Sequence, residues 1–180
     1  EGLLEGMAGV FGRDHVFFGS FPSEVRPESV THEAMALVRR LAANDNIVMG
    51  AQAGADSALE RLHRGHRFDE VLRAVDLVRG AGLLPIVDFI YGLPDETLDE
   101  RRATHAAMET VAARGAIVHS HVFMPLPGTP LAKAAPGRID PETRALLERL
   151  SGSGTQTGRW REQERTAQRV AAFREQIEDR

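Results

Sequence analysis

The sequence has no cysteine in 180 residues, and that absence removes several chemistries. The chain can form no disulfide, present no thiolate nucleophile and supply no thiolate to a zinc or iron–sulfur centre. Lysine occurs once, at Lys133, and tryptophan and tyrosine once each. The remaining bases are arginines, which together with abundant alanine read as GC-rich coding bias more than as arginine-mediated recognition. No apolar run approaches the roughly 20 residues of a membrane span. No basic-then-apolar leader opens the sequence, so a cytoplasmic protein with no membrane partner is expected. The net charge of −4 argues against a general nucleic-acid-binding surface. Phosphate loops of the GxGxxG or GxxxxGKS/T kind are missing, and no serine sits in a GxSxG elbow.

With 42% hydrophobic and 27% charged residues, the composition is that of one folded domain with a real core. The sequence opens at Glu1 rather than Met, which suggests a piece of something longer. Four apolar, β-branched or aromatic runs read as buried parallel strands: Val16–Ser20, Ile47–Gln52, Leu84–Gly92 and Ile117–Met124. Helical periodicity fills the gaps. Met35, Val38 and Leu41 follow a Thr31 N-cap, and Leu59 and Leu62 stop at Gly65. Val71, Val75 and Val78 end near Gly80. Thr97 and Glu100 form a capping box opening a helix that runs to Gly115, and Asp140-Pro141 is an N-cap with proline at N1. One helical passage between neighbouring strands is the βαβ rhythm, so the expected class is α/β, a partial parallel (β/α) barrel of the TIM type with C-terminal helices. Residues 1–150 would form the barrel portion and 151–158 (SGSGTQTG) a linker. Residues 159–180 would be a helical tail with an apolar stripe of Trp160, Ala167, Val170 and Ile177, expected to pack on the domain or a partner. Four strands leave an unpaired edge, so further sheet from other sequence or another subunit is expected.

Reactive groups in such sheets gather at the carboxyl ends of the strands, and several polar residues fall there. Asp88 interrupts an apolar strand. A buried carboxylate needs a partner, either a ligand, an arginine or backbone N–H groups. Gln52 ends its strand and could present donors and an acceptor to a ligand or satisfy a loop. Arg64 could aim its guanidinium back over the strand ends or lie solvated at a helix terminus. Glu24 is a loop carboxylate that could take an amine or lie solvated on the surface. His119 and His121 share one strand face and could hold a metal ion or line a polar cavity.

Four phrases carry a resemblance. IVMGAQAGADSALERLHRG resembles the fourth-strand segment of radical S-adenosylmethionine (SAM) enzymes of the methylthiotransferase and coproporphyrinogen-dehydrogenase type. VDFIYGLPDET is similar to their fifth-strand segment and HSHVFMPLPGTP to their sixth-strand exit. With FGSFPSEVRPE, the likeness lies nearest to radical SAM proteins carrying a cobalamin-binding domain, and it spans about Phe17 to Trp160. It implies four βα units of a six-stranded radical SAM barrel, with SAM as cofactor. It also implies that Glu24, Gln52, Arg64 and Asp88 contact SAM, and that backbone near Met124 with Ile90 flanks the adenine. The family's three cysteines hold a 4Fe–4S cluster. None is present here, so that cluster, and a cobalamin, would be ligated outside this chain, on a missing N-terminal barrel half or a partner subunit. The chain alone is therefore expected to be inactive. The other readings are a TIM-type metal-dependent hydrolase using His119 and His121, which needs a further carboxylate near the pair, and a non-catalytic remnant scaffold.

Overall fold

A computed structural model describes residues 2–178, the side chains at 175, 177 and 178 excepted. Ile177, expected on the apolar stripe, thus lies outside the described side chains. The elements are α1 (Gly2–Phe11), α2 (His32–Leu41), β1 (Asn46–Gln52), α3 (Asp56–Arg61), α4 (Phe68–Gly80), β2 (Leu84–Tyr91), α5 (Leu98–Ala113), β3 (Ile117–Val122), α6 (Pro141–Gly152), β4 (Gln156–Thr157) and α7 (Trp160–Glu178). One sheet runs in the order β1-β2-β3-β4, all pairs parallel, as the α/β reading requires.

The sheet has two unlike faces. Val87, Phe89 and Tyr91 of β2 and Val118 and Val122 of β3 are buried in the main core with Val75, Val78, Met108 and Leu147 of the helices. Alternation along a strand puts Asp88 and Ile90, and beside them His119 and His121, on the opposite face. There Ile90, His119 and His121 are only partly covered. A parallel sheet wrapped by helices on one side therefore presents a half-open polar face on the other.

Two expectations about strands are corrected. Val16–Ser20 lies against β1 but makes no ladder. Gly19 sits at φ +60°, a left-handed turn open to glycine. The Asn44 side chain takes the place of a strand partner, donating to the Phe18 carbonyl at 2.7 Å and accepting from its N–H at 3.0 Å. Past the turn a single bridge links Val25 to Met49. The fourth strand comes instead from residues 151–158, which composition marked as a linker. Residues 151–152 finish α6, and Gln156–Thr157 pair with β3. Helix α1 carried no boundary signal; it leans Leu4 and Ala8 on the core and pairs Glu5 with Arg40 at 3.3 Å.

The caps fall where their chemistry puts them. Thr31 accepts from the Ala34 N–H, the Thr97–Glu100 capping box is complete, and Asp140 accepts from Glu142 and Thr143. Glu100 also receives both Arg61 guanidinium nitrogens, at 2.8 and 2.9 Å, and the Ser57 hydroxyl at 2.7 Å, tying α3 to α5.

The tail is part of the domain. Trp160 is 1% exposed, and Ala167 and Ala171 are buried beneath α7, while Val170 is half-buried. The Arg161 and Arg144 guanidiniums lie over the indole at 4.1 and 5.2 Å. Gln163 accepts the Val122 N–H at 2.9 Å and Glu164 the Ile139 N–H at 2.8 Å, so α7 satisfies backbone groups beyond the end of β3. No helix among the described residues is long and apolar enough to cross a membrane.

Removing a fully buried indole costs about 3–5 kcal/mol through lost transfer energy and the cavity left behind. Trp160→Ala is therefore expected to lower the urea unfolding free energy by that amount. A loss under about 1 kcal/mol, the range of an ordinary surface substitution, would mean that α7 does not pack on the sheet in solution.

Candidate functional site

Glu24, Gln52, Arg64 and Asp88 lie far apart in sequence and meet at the carboxyl end of the sheet. Glu24 stands in the loop before α2, Gln52 ends β1, Arg64 follows α3 and Asp88 sits in β2. Gln52 takes φ +72°, beside an irregularity in the β1–β2 register, and its Nε2 donates to both Glu24 oxygens at 3.2 Å. Gly50 makes room for this pair. A Cβ there would stand 2.3 Å from Gln52 Nε2 and 2.7 Å from each Glu24 oxygen, so any larger residue would displace both side chains. Arg64 Nη2 donates to the Gly50 carbonyl at 3.2 Å and stands 3.9 Å from Glu24 Oε1. Its Nε is buried with no hydrogen-bond partner among the described residues.

Asp88 is the centre of the cluster. Register pairs it directly with His119, and Ile90 with His121. His119 Nδ1 donates to Asp88 Oδ1 at 2.9 Å, and His121 Nε2 stands 3.7 Å from Oδ2. Burial by itself would raise the Asp88 pKa, but the hydrogen bond from His119 and the nearby His121 imidazole overcome it and hold the carboxyl at about 2. Glu24 goes the other way. Burial, and then the neighbouring Asp88 carboxylate, push its pKa up, with Gln52 and Arg64 opposing. Two neighbouring carboxyls are thus driven apart in acidity, the inner one ionised and the outer one more easily protonated.

These groups line a cleft of about 290 Å³ with Phe21 at its mouth, the Phe21 ring edge-on to His119 at 5.9 Å. Ile90 and His121 also belong to a second, larger cleft of about 770 Å³ beside it, walled by Phe123, Met124, Leu126 and Leu131. Met124, just past β3, therefore sits in the apolar cleft, and Glu24, Gln52 and Asp88 line the polar one, while Arg64 stands beside Glu24 without lining it.

Two features went unread in the sequence. The Asp88–His119 hydrogen bond follows from strand register, which no local pattern reveals. Gln163, which reaches His121 Nδ1 at 3.3 Å and lines the apolar cleft, lies on a helix that only the packing of Trp160 brings there. The carboxylate that a hydrolase reading demanded is present as well. Ligand atoms of Asp88, His119 and His121 all lie within 4.8 Å of one another.

Comparison with known proteins agrees with this architecture. The sequence profile of the Radical SAM superfamily matches residues 13–108, just over half of the chain, and the chain belongs to that superfamily. It is 33% identical over 151 residues to a tRNA-2-methylthio-N(6)-dimethylallyladenosine synthase of Halorhodospira halophila, covering 82% of this chain and 31% of that protein. The same enzyme of Geobacter metallireducens is 32% identical over 154 residues, covering 84% and 34%. The chain thus spans about a third of the length of the curated relatives it matches. Among solved structures, coproporphyrinogen III oxidase of Escherichia coli superposes with a TM-score of 0.56 at 20% identity, over 72% of this chain and 31% of its own. The archaeal Elp3 of Methanocaldococcus infernus gives 0.53 at 19% identity, over 61% and 26%. At those identities the superpositions speak for the fold.

The acidities have a measurable consequence. Asp88 is more acidic folded than at its ordinary 3.8, so it contributes stability that is fully present above 3.8 and is lost as pH falls toward 2. That contribution is about 2 kcal/mol from the size of the shift. Glu24 carries the opposite sign, its contribution fading as pH rises through its raised pKa. Urea unfolding between pH 5 and 2 is expected to show a flatter profile for Asp88→Asn than for the wild type. Parallel profiles would mean that Asp88 is not held ionised by the histidines.

Proposed function

We propose that this chain forms the SAM-binding part of a radical SAM enzyme. The observation that carries the reading is the convergence of Glu24, Gln52 and Asp88 on one polar cleft, with Arg64 against Glu24 at its edge, beside an apolar cleft. SAM has the matching distribution of groups. Its ammonium suits the Glu24 carboxylate, which an ammonium would draw into its ionised form, and its carboxylate suits the Arg64 guanidinium, whose Nε is otherwise unpaired. The ribose hydroxyls suit the acceptors around Asp88 and Gln52, and the adenine suits the apolar wall between Ile90 and Met124. The gap over Gly50 that lets Glu24 and Gln52 lie side by side supports the same placement.

When bound, SAM supplies the group that a reduced 4Fe–4S cluster cleaves to start radical chemistry. This chain has no cysteine, so it does not fit that cluster, and no step is assigned to it here. In this reading the cluster ligands and the remaining strands come from an N-terminal barrel portion or a partner subunit joined along the open edge of β1. A cobalamin, expected from the resemblance, would be held there too. The chain's own residues bind and orient SAM, and the helices covering the far face keep water from the sheet. The chain by itself would be inactive, and a cytoplasmic location goes with this reading. The matched relatives are methylthio-transferring enzymes, and we propose a reaction of that broad kind for the complete protein.

Calorimetric titration of SAM into the folded chain tests this. Binding is expected, weakened roughly 10- to 100-fold by Asp88→Ala, the loss that follows from removing hydrogen bonds to a charged group. Equal binding by wild type and variant would place SAM elsewhere. No binding, even after the upstream portion is restored, would sink the reading.

A further inference from the structure

The hydrogen bonds around Asp88 determine where the protons of the two histidines sit. The Val122 N–H is an obligatory donor, so the side-chain atom of Gln163 that it meets at 2.9 Å must be the carbonyl oxygen Oε1. The Gln163 amide nitrogen then faces His121 Nδ1 at 3.3 Å. Since an amide NH2 only donates, His121 Nδ1 carries a lone pair, and its proton lies on Nε2, toward Asp88 Oδ2 at 3.7 Å. Asp88, held ionised by its histidine neighbours, only accepts. His119 Nδ1, at 2.9 Å from Asp88 Oδ1, must therefore be the donor. In the neutral ring the remaining nitrogen, His119 Nε2, is a lone pair with no hydrogen-bond partner among the described residues, on a side chain that lines the polar cleft and is 15% exposed.

Few donors of this chain face the cleft, and the Ser23 hydroxyl, which also lines it, makes no hydrogen bond to His119. Gln52 Nε2 is committed to Glu24, and Arg64 Nη2 to the Gly50 carbonyl and Glu24. The titratable groups sharing the cleft with His119 are Asp88 from β2, His121 from its own strand and Glu24 from the loop before α2. A ligand hydroxyl can bring the donor that His119 Nε2 lacks.

We propose that Asp88 and His119 form a carboxylate–imidazole dyad whose Nε2 accepts a hydrogen bond from a hydroxyl of the bound ligand. Under the SAM reading, on which this rests, the hydroxyl is one of the ribose. His119 is then a binding residue that reads the sugar, a role the resemblance does not assign to it. The carboxylate orients the ring and holds its proton on Nδ1, and Gln163 prevents His121 from competing for the same task. A divalent cation is the rival occupant, and the proton arrangement disfavours it. If His121 coordinated a metal through Nε2, its Nδ1 would carry the proton and point it at the Gln163 NH2, donor against donor.

Long-range proton–nitrogen NMR on the folded chain reads the tautomers directly. His119 is expected with its proton on Nδ1, and His121 with its proton on Nε2. Asp88→Asn, offering one acceptor and one donor in place of two acceptors, is expected to invert one of them. In calorimetry, His119→Ala is expected to weaken SAM roughly tenfold, the worth of about one hydrogen bond, with His119→Gln recovering part of the loss. The wild type should prefer 5′-methylthioadenosine over its 2′,3′-dideoxy counterpart, and His119→Ala should reduce that preference. A proton on His119 Nε2 in the wild type overturns the dyad. A loss in His119→Ala that is equal for both nucleosides overturns the sugar assignment. Micromolar Zn²⁺ binding abolished by both His119→Ala and His121→Ala overturns the proposal in favour of a metal site. Absence of binding of all these nucleosides, even after the upstream portion is restored, overturns the SAM reading and the sugar assignment with it, while the tautomer spectrum decides the dyad separately.

Discussion

A carboxylate set in the middle of a parallel strand has to be satisfied from the strands beside it, and Asp88 imposes that demand on this sheet. Left alone at 6% exposure it would be strongly destabilising. The β2–β3 register answers by placing His119 opposite it and His121 one step further on the same face. A shift of one residue would put Val118 or Ser120 there and turn both imidazoles toward the helices. The pairing that stabilises the sheet is therefore the same pairing that assembles the polar cleft, and neither can change without the other.

The rest of the domain can be understood as support for that face. Helices α4, α5 and α6 cover one side with aliphatic side chains, which leaves the other free to carry polar groups. Segment 151–158 contributes a two-residue strand beside His119, and α7 returns across the end of β3 on the anchor of Trp160. Gln163 and Glu164 then satisfy the backbone N–H groups of Val122, where β3 ends, and of Ile139, just before α6. That contact also puts Gln163 against His121, so the packing of the tail reaches the protonation of the cleft through two hydrogen bonds.

The open edge of β1 bears on what the chain can do. The segment from Val16 to Val25 covers much of that edge: Gly19 accepts the Val48 N–H at 2.7 Å, Val25 exchanges backbone hydrogen bonds with Val48 and Gly50, and the Asn44 side chain holds Phe18. Phe17, Phe18 and Phe21 remain exposed there, an apolar surface next to the polar cleft. An edge of this kind is where further strands could join the sheet.

The sequence by itself determined what depends on neighbours along the chain. Helix starts at Thr31, Thr97 and Asp140 follow from short side chains meeting the N–H groups two or three residues on. The three long strands follow from short apolar runs bounded by glycine, proline and polar residues, whose β-branched and aromatic side chains the helix-covered face of the sheet buries. The phrases around Gln52, Asp88 and Met124 were enough to place the chain in its superfamily and to nominate four polar residues that the fold brings together. What depends on contacts distant in sequence was decided by the tertiary structure. Gly19 and the Asn44 side chain keep Val16–Ser20 out of the ladder despite its strand-like composition. A polar, glycine-rich stretch becomes β4 because β3 offers it unpaired backbone. Asp88, His119, His121 and Gln163, legible singly as a buried acid, a histidine pair and a polar helix residue, become one proton-ordered group only when register and the docking of Trp160 set them within hydrogen-bonding reach.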